Sequence, residues 1–248
     1  SAELKGVVAE WGANLVVKPR DSRGARGVIR LSELADIDWV FQEARAESPS
    51  GRVMVEEFIA GPQVSTESII LGEDVETPGF ADRNYEFLDR FAPYIIENGG
   101  EMPSRLPASV REEVTAVAVA AARELGIDRG TSKADMVLTP EGPVVIEIAP
   151  RLSGGWFCTD QIPAATGVNV VGLAIRVALG ERVESSEAVA TKDVGVAARY
   201  WFVEPGTVRS IDGLEQFRSV DWVHRLEMFV EVGQVVQAVK NHTSRAGC

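Results

Sequence analysis

The chain has 248 residues, of which 45% are hydrophobic, and 25 Lys and Arg against 37 Asp and Glu give a formal net charge of −12. This acidic excess disfavours nucleic acid and anionic membranes as partners, so we expect neither, and we expect a cytoplasmic location. Two cysteines and two histidines are too few for a disulfide framework, a structural zinc or a histidine-rich metal centre.

The first 71 residues predict two helices, four short strands and one glycine-rich loop. Apolar spacing of three and four residues predicts a helix over 1–11, and a second helix over 32–45 has Ser32 as its expected N-cap. The loop covers 21–27. The predicted strands are 14–18, 28–31, 53–59 and 63–71.

The remaining sequence predicts a second set of helices and hairpins. Residues 72–105 lack strong periodicity, so they are expected to form a lid or a weakly patterned pair of strands. Ser109 and Glu112 have the spacing of a capping box, which predicts a helix from there to Gly126. The later predicted elements are strands 132–138 and 144–148, a helix 170–179, and a tail over 193–240 that is mostly strands with a short helix near 213–217.

Helices mixed with hairpins, without regular strand–helix alternation, predict the α+β class. The sequence has neither a Gly-x-Gly-x-x-Gly segment after a strand nor a Gly-x-x-x-x-Gly-Lys-Ser/Thr segment. Rossmann and P-loop nucleotide sites are therefore excluded.

One predicted hairpin brings two carboxylates together. If residues 140–142 form a three-residue loop, Asp135 lies directly opposite Glu147. Opposed like charges destabilise a strand pair, so a cation is expected between them. Magnesium is one candidate, because it takes oxygen ligands. The alternatives are that Asp135 forms an ordinary salt bridge with Lys133 or Arg151, or that it faces water.

In that register the other face of the hairpin is wholly apolar and must face the core. It carries Ala134, Met136, Leu138, Val144, Ile146 and Ile148.

A lysine and a glycine loop form a second candidate site. Lys18 ends an apolar strand, and Ser22, Arg23, Gly24 and Gly27 follow it closely. Glycines let backbone amides approach phosphate oxygens, and a lysine supplies a point charge for them. A solvated turn has the same composition, so this pattern alone leaves both interpretations open.

The order of these motifs resembles the ATP-grasp superfamily. Lys18-Pro19, the glycine loop, the run Val55-Glu56-Glu57-Phe58-Ile59, and the carboxylate hairpin ending at Arg151 follow one another within residues 14–180. The runs Ser153-Gly154-Gly155 and Ala165-Thr166-Gly167 resemble the carboxylate-amine ligase branch in particular.

The resemblance implies a fold of two α+β subdomains whose antiparallel sheets sandwich a nucleotide, plus a strand-rich C-terminal piece. It divides the chain into a nucleotide-binding lid subdomain (1–72), a metal and substrate subdomain (73–184) and the C-terminal piece (185–248). ATP-grasp ligases normally carry a further N-terminal α/β domain, so we expect additional residues upstream.

The resemblance also implies roles in nucleotide and metal binding. Lys18 would contact the ATP phosphates, and the loop with Ser22, Arg23, Gly24 and Gly27 would close over them. Asp135 and Glu147 would hold Mg²⁺, with Mn²⁺ as an alternative ion. The adenine and ribose contacts would come from Glu56, Glu57, Phe58, Ile59 and Gln63, the last standing where a ribose-binding Glu is usual.

On the substrate side, Arg151 would act in catalysis together with Lys18, by stabilising an acyl phosphate or by orienting the substrate carboxylate. The other implied substrate contacts are Ser153, Gly154, Gly155 and Arg83.

The implied activity is ADP-forming ligation of a small-molecule carboxylate to an amine through an acyl phosphate, in a protein that could be a homodimer. Two alternatives stay open. Ala149 stands where these ligases usually have a metal-binding Asn, which favours a purine-pathway or carboxylase-type member of the superfamily. Ala149 and Gln63 together also fit a noncatalytic nucleotide-binding or assembly module.

Overall fold

A computed structural model describes residues 2–32 and 36–248, and the chain divides into two compact units. The first unit comprises Ser1–Phe58, Tyr85–Asn98 and Arg199–Cys248, and the second comprises Ile59–Asn84 and Gly99–Ala198. Each unit is therefore assembled from separated stretches of chain. This division differs from the boundaries at 72 and 184 expected from the sequence.

The N-terminal part of the first unit packs two helices on a small antiparallel sheet. Its elements are α1 (Ala2–Trp11), β1 (Leu15–Pro19), β2 (Ile29–Arg30), α2 (Ile37–Ala46) and β3 (Val53–Glu57), with strand order β2-β1-β3. Buried Leu4, Val17 and Val40 form the middle of its core.

The second predicted helix begins later than expected. Asp36, and not Ser32, is the N-cap of α2, since its carboxylate accepts hydrogen bonds from the backbone N–H groups of Asp38 and Trp39. Residues 33–35, which the prediction also assigned to this helix, lie outside the described residues.

The second unit is built on a six-stranded sheet. In chain order its elements are β4 (Gln63–Leu71), β5 (Asp74–Asn84), β6 (Gly99–Met102), α3 (Ala108–Glu124), β7 (Arg129–Thr139), β8 (Gly142–Ala149), α4 (Ile162–Thr166), α5 (Val170–Ala178) and β9 (Val196–Arg199). The strand order is β8-β7-β4-β5-β6-β9. A π-helical turn, Phe157–Gln161, precedes α4.

Helices cover both faces of this sheet. On one face, Val114 and Ala118 of α3 pack with Val64, Ala134 and Met136 of the central strands. On the other face, the π-helical turn, α4 and α5 bury a cluster that includes Phe157, Ile162 and Leu173. Polar side chains occupy another part of this second face and form the site described below.

The weakly periodic segment 72–105 contains a pair of strands, β5 and β6, which was one of the two expected alternatives. Pairing with β4 overrides the weak intrinsic pattern of β5. One expectation for the second unit was wrong. The capping box does not form, because Pro107 occupies the N-cap position of α3 and Ser109 lies inside the helix. The predicted helix end at Gly126 is confirmed, where the backbone is left-handed (φ +77°).

The tail of the first unit contains only short elements: β10 (Gly206–Thr207), α6 (Leu214–Arg218) and β11 (Val235–Val236). Arg245 anchors this tail. Its guanidinium donates a hydrogen bond to the Glu97 carboxylate at 2.7 Å and stacks on the Tyr200 ring at 3.5 Å. Both charged side chains are almost 90% buried, so this pair is screened little by solvent.

Among the residues that the structure describes, no single helix is long and apolar enough to cross a membrane. The segments Phe157–Thr166 and Val170–Ala178 reach that length and composition only when they are taken together, and they are bent by 119° at their junction.

Gly61→Ala tests the close approach at the start of the second unit. Gly61 has φ +153°, and a Cβ there would lie 2.1 Å from the Leu138 carbonyl oxygen, a backbone atom that cannot rotate away. We expect the variant to lose about 2 kcal/mol or more of unfolding free energy in urea titrations.

Gly72→Ala is the matched control, because Gly72 also has a positive φ (+78°) but nothing lies within 4 Å of its virtual Cβ. It should lose only about 1 kcal/mol, the backbone penalty alone. Equal losses in the two variants would contradict the steric interpretation.

Candidate functional site

In the first unit, the predicted phosphate-binding lysine contacts a predicted nucleotide-binding acid. Lys18 on β1 and Glu56 on the neighbouring strand β3 form an ion pair at 2.6 Å between Nζ and Oε2. The two side chains are 18% and 36% exposed, so solvent and ligands can reach the pair. A phosphate that binds Lys18 would therefore compete with the Glu56 carboxylate.

The end of β3 leaves its backbone open on one side. Phe58 donates its N–H to the Asn14 carbonyl, and the Asn14 amide donates back to the Phe58 carbonyl. Backbone groups alternate in direction along an antiparallel strand, and β3 is an edge strand, so the N–H and C=O of Glu57 face outward. The Arg30 guanidinium covers the Phe58 ring at 3.8 Å, and Ile59 begins the second unit.

The glycine loop is held at both ends and exposed at its tip. At its start, the Asp21 carboxylate accepts hydrogen bonds from Ser48 Oγ and Ser50 N, which lower the pKa of Asp21. At its end, a Cβ on Gly27 would lie 3.0 Å from both Pro19 and Glu47. The predicted phosphate contacts Ser22, Arg23 and Gly24 are exposed between these anchors.

In the second unit, strand register collects polar side chains on one face of the sheet. Ser65 on β4 pairs with Asp135 on β7, which in turn pairs with Glu147 on β8. Gln63 lies two residues before Ser65, on the same face, and pairs with Arg83 on β5. The predicted opposition of Asp135 and Glu147 is confirmed.

The loop that was used to predict this register was wrong. Thr139 pairs with Gly142, so the turn contains two residues and not three. A β-bulge follows, because Asp135 pairs with Glu147 but the next residue, Met136, pairs with Val145. The bulge corrects the register and also replaces Ile146 by Val145 on the core face, which leaves Ile146 exposed.

Asp135 is the centre of the polar face. Its Oδ1 accepts hydrogen bonds from Ser65 Oγ at 2.5 Å and from Arg83 Nη1 at 2.8 Å, and its Oδ2 accepts one from Lys133. Burial by itself raises the pKa of this carboxyl, but the charges of Arg83 and Lys133 outweigh that effect and lower it to about 2.

Glu147 and Arg151 form the open side of the same cluster. Glu147 is half exposed, and its Oε1 lies 3.5 Å from Lys133 Nζ and 3.6 Å from Arg151 Nη2. Lys133 therefore contacts both carboxylates, as the salt-bridge alternative expected. Arg151 is 55% exposed and can turn toward a ligand.

These two carboxylates can serve as magnesium ligands only with help from other ligands. Within residues 2–32 and 36–248 no group of three or more His, Cys, Asp or Glu side chains is placed to hold a metal, and Ala149, which pairs with Lys133, has no donor side chain. Magnesium commonly takes one or two carboxylates and completes its shell with phosphates and water. The donor set fits that mode, provided that Lys133 leaves Asp135.

The predicted substrate loop is held by an acid that sequence reasoning missed. The Glu67 carboxylate on β4 accepts hydrogen bonds from the backbone N–H of Ser153 at 3.0 Å and from its Oγ at 2.5 Å. Burial raises the pKa of Glu67 although these hydrogen bonds oppose it. Gly154 and Gly155 are exposed beyond this anchor. The available signal was one acid in the middle of the strand 63–71.

A cavity of about 760 Å³ lies elsewhere, in the C-terminal part of the first unit. Apolar side chains such as Trp201, Phe217 and Met228 line it, and its lining includes none of the site residues predicted from the sequence.

Family comparisons agree with the fold and with the order of the motifs. Residues 5–155 match the ATP-grasp domain family, and residues 199–248 match L-amino acid ligase C-terminal domain 2. The first match covers more than half of the chain, and the protein belongs to the ATP-grasp family.

Individual relatives extend beyond this chain. The chain aligns over its whole length with 50% of the uncharacterized protein y4rH of Sinorhizobium fredii, and the aligned residues are 29% identical. It is 28% identical, over 70% of its length, to 53% of a D-alanine–D-alanine ligase of Desulforudis audaxviator. The chain thus spans about half the length of these relatives.

The crystal structure of an L-amino acid ligase from Bacillus licheniformis has the same fold. It superposes with a TM-score of 0.77 at 23% identity, over 94% of this chain and 56% of that one.

Asp135→Asn tests whether the Asp135 charge holds the polar face together. The neutral amide leaves Arg83 and Lys133 without their buried counter-charge, and we expect a loss of about 2 kcal/mol in unfolding free energy at pH 7. Because folding lowers the pKa of Asp135 from 3.8 to about 2, its contribution is complete above pH 4 and is lost as pH falls toward 2. The gap between wild type and variant should close over that interval.

Glu147→Gln is the control, since its half-exposed charge should contribute less than about 1 kcal/mol. If Asp135→Asn costs no more than this control in urea titrations at pH 7, the Asp135 cluster does not stabilise the sheet.

Proposed function

We propose that the protein is an ADP-forming ligase that activates a carboxylate as an acyl phosphate and joins it to an amine. The observation that carries the proposal is the polar face of the second unit, where Lys133, Arg83 and Arg151 surround a register-matched pair of carboxylates. Such a cluster offers both signs of charge to an anionic substrate and to a metal-bound phosphate.

The proposed reaction has two steps. A carboxylate oxygen of the first substrate attacks the γ-phosphorus of ATP, and the bond to the β-phosphate oxygen breaks to release ADP. The amine nitrogen of the second substrate then attacks the acyl carbon, and phosphate leaves as the amine loses a proton. Phosphoryl transfer depends mainly on positioning and charge neutralisation, so the proposed reaction needs no histidine base.

The proposed nucleotide contacts keep the roles that the resemblance implies. Lys18 exchanges Glu56 for a phosphate oxygen, and the loop with Ser22, Arg23, Gly24 and Gly27 supplies further phosphate contacts. The outward backbone of Glu57 and that of Ile59 recognise the adenine edge, beside Glu56 and Phe58. Gln63 offers a neutral amide to the ribose.

The proposed substrate contacts lie on the polar face and beside it. Arg151 binds the carboxylate or the acyl phosphate in a bidentate manner, and Ser153, Gly154 and Gly155 line the substrate. Arg83 Nη1 is already bonded to Asp135 and Ser65, so Arg83 contributes positive charge more than a direct bond from that nitrogen. Asp135 and Glu147 hold Mg²⁺ or Mn²⁺, which when bound neutralises phosphate charge.

Amino acids are the proposed substrates. The support is the C-terminal match to an L-amino acid ligase domain and the similarity to D-alanine–D-alanine ligase. A carboxylase-type reaction is the second candidate, in which bicarbonate takes the place of the carboxylate substrate. Ala149 favours the carboxylase-type reaction, because the purine-pathway carboxylase subunit of this superfamily also has the segment Glu-x-Ala-Pro-Arg, with Ala at the position of Ala149.

Lys18→Met tests the nucleotide site directly. With excess Mg²⁺, the wild-type chain should bind ATP in isothermal titration calorimetry, and the variant should bind about tenfold more weakly because one charge-assisted contact is lost. Lys5→Met is the matched control, because Lys5 also forms an ion pair at 2.6 Å in the first unit, with Asp38, and its affinity should match wild type. Equal ATP affinity in all three proteins would show that Lys18 does not contact ATP.

A substrate screen tests the reaction. Mixtures of ATP, Mg²⁺ and pairs drawn from the 20 L-amino acids and D-alanine should release ADP and phosphate, with an amide product in mass spectrometry. Release of AMP and pyrophosphate would contradict the acyl-phosphate route. ADP release that requires bicarbonate and a single amine would favour the carboxylase-type candidate.

A further inference from the structure

Glu67 is a fully buried acid in the middle of β4. Its neighbours along the strand, Thr66 and Ser68, are also buried, and Glu67 itself has 0% of its surface exposed. Burying a carboxyl without partners is strongly unfavourable, so specific contacts must offset the cost of burying Glu67. Those contacts identify what the residue does.

The hydrogen bonds that Glu67 accepts come from one segment. Its Oε2 accepts two of them from Ser153, through the backbone N–H at 3.0 Å and through Oγ at 2.5 Å. Lys133, the register partner of Glu67 on β7, adds a favourable charge. Oε1 has no hydrogen-bond partner among the described side chains and backbone. The carboxyl is thus directed at the chain that leaves β8 and enters the π-helical turn.

A glycine on the neighbouring strand leaves the space that Glu67 occupies. Gly79 on β5 is the register partner of Glu67. A Cβ at Gly79 would lie 2.6 Å from the Glu67 Cβ and 2.5 Å from Ile162 Cδ1. The missing side chain lets Glu67 and Ile162 share a space that no other residue at position 79 would leave open.

The segment that Glu67 holds is strained at its far end. Residues 153–156, the 153–156 loop, end at Trp156, which adopts a left-handed backbone (φ +59°) directly after Gly155 (φ +64°). A non-glycine residue in that region is strained and persists only where its surroundings fix it. The π-helical turn Phe157–Gln161 follows, and π-bulges are frequent at functional sites.

We propose that Glu67 is a positioning residue that fixes the 153–156 loop in the shape that binds the substrate. Glu67 does not touch the substrate, and it acts through Ser153. This inference rests on the proposed function for its consequence in catalysis, but the conformational part stands on the contacts alone.

Hydrogen exchange with mass spectrometry tests the conformational part. In Glu67→Leu the Ser153 N–H loses its acceptor, and amides of residues 153–161 should exchange about tenfold faster, while α3 and α5 keep wild-type rates. Glu67→Gln keeps a carbonyl acceptor of the same shape and should restore slow exchange.

Glu76→Leu is the matched control. Glu76 on β5 accepts a hydrogen bond from Ser185 Oγ at 2.6 Å, so the variant loses an equivalent Glu–Ser contact in the same unit. It should leave residues 153–161 at wild-type rates. Unchanged exchange at residues 153–161 in Glu67→Leu overturns the proposal, and so does an equal increase throughout the second unit.

Steady-state kinetics test the consequence, with the amino acid that gives the fastest ADP release in the screen above. Glu67→Leu should raise the KM for that amino acid about tenfold and leave the KM for ATP within about twofold, with rescue by Glu67→Gln. A lower kcat with unchanged KM values would overturn the positioning role. If wild type shows no amino-acid-dependent ADP release, the proposed function fails, while the exchange result still decides the conformational claim.

Discussion

The largely buried carboxylate of Asp135 is the constraint on which the second unit depends. It joins Ser65 on β4, Arg83 on β5 and Lys133 on its own strand, and it lies opposite Glu147 on β8. Four adjacent strands therefore meet at one charged group. Without Arg83 and Lys133, Asp135 would be an uncompensated buried charge, and without Asp135 the two cations would repel each other. In the proposed function, the same balance also provides a site for an anionic ligand and a metal, because each partner can be exchanged for a ligand group of the same sign.

Alternation along strands explains why so much of this site could be predicted. The strand 63–71 was predicted with its observed bounds. Asp135 and Glu147, 12 residues apart, were predicted to oppose each other on one face of a hairpin, and they do. The loop length was wrong, yet the carboxylates still oppose each other because a β-bulge shifts the register by one residue. The loss of Ile146 from the core face is the local consequence of that bulge.

The parts that sequence reasoning missed depend on contacts distant in the chain. β5 has glycine, proline and four charged residues in 11 positions, so only its pairing with β4 and β6 makes it a strand. Arg83 was predicted in an irregular segment, whereas β5 places it beside Asp135, 52 residues further along the chain. Glu67 reaches Ser153 across 86 residues. Single-sequence periodicity carries no information on such pairs, while the family resemblance supplied only residues that lie in recognisable motifs.

In the proposed function, the Lys133 ammonium occupies the place that the metal takes when nucleotide binds. A crystal structure with Mn²⁺ and a non-hydrolysable ATP analogue tests this most directly. We predict an anomalous manganese peak within about 2.0–2.4 Å of oxygens of both Asp135 and Glu147, with phosphate oxygens completing the shell and Lys133 Nζ withdrawn from Asp135. A bound nucleotide with Lys133 still bridging the two carboxylates, and with manganese absent from them, would contradict the account.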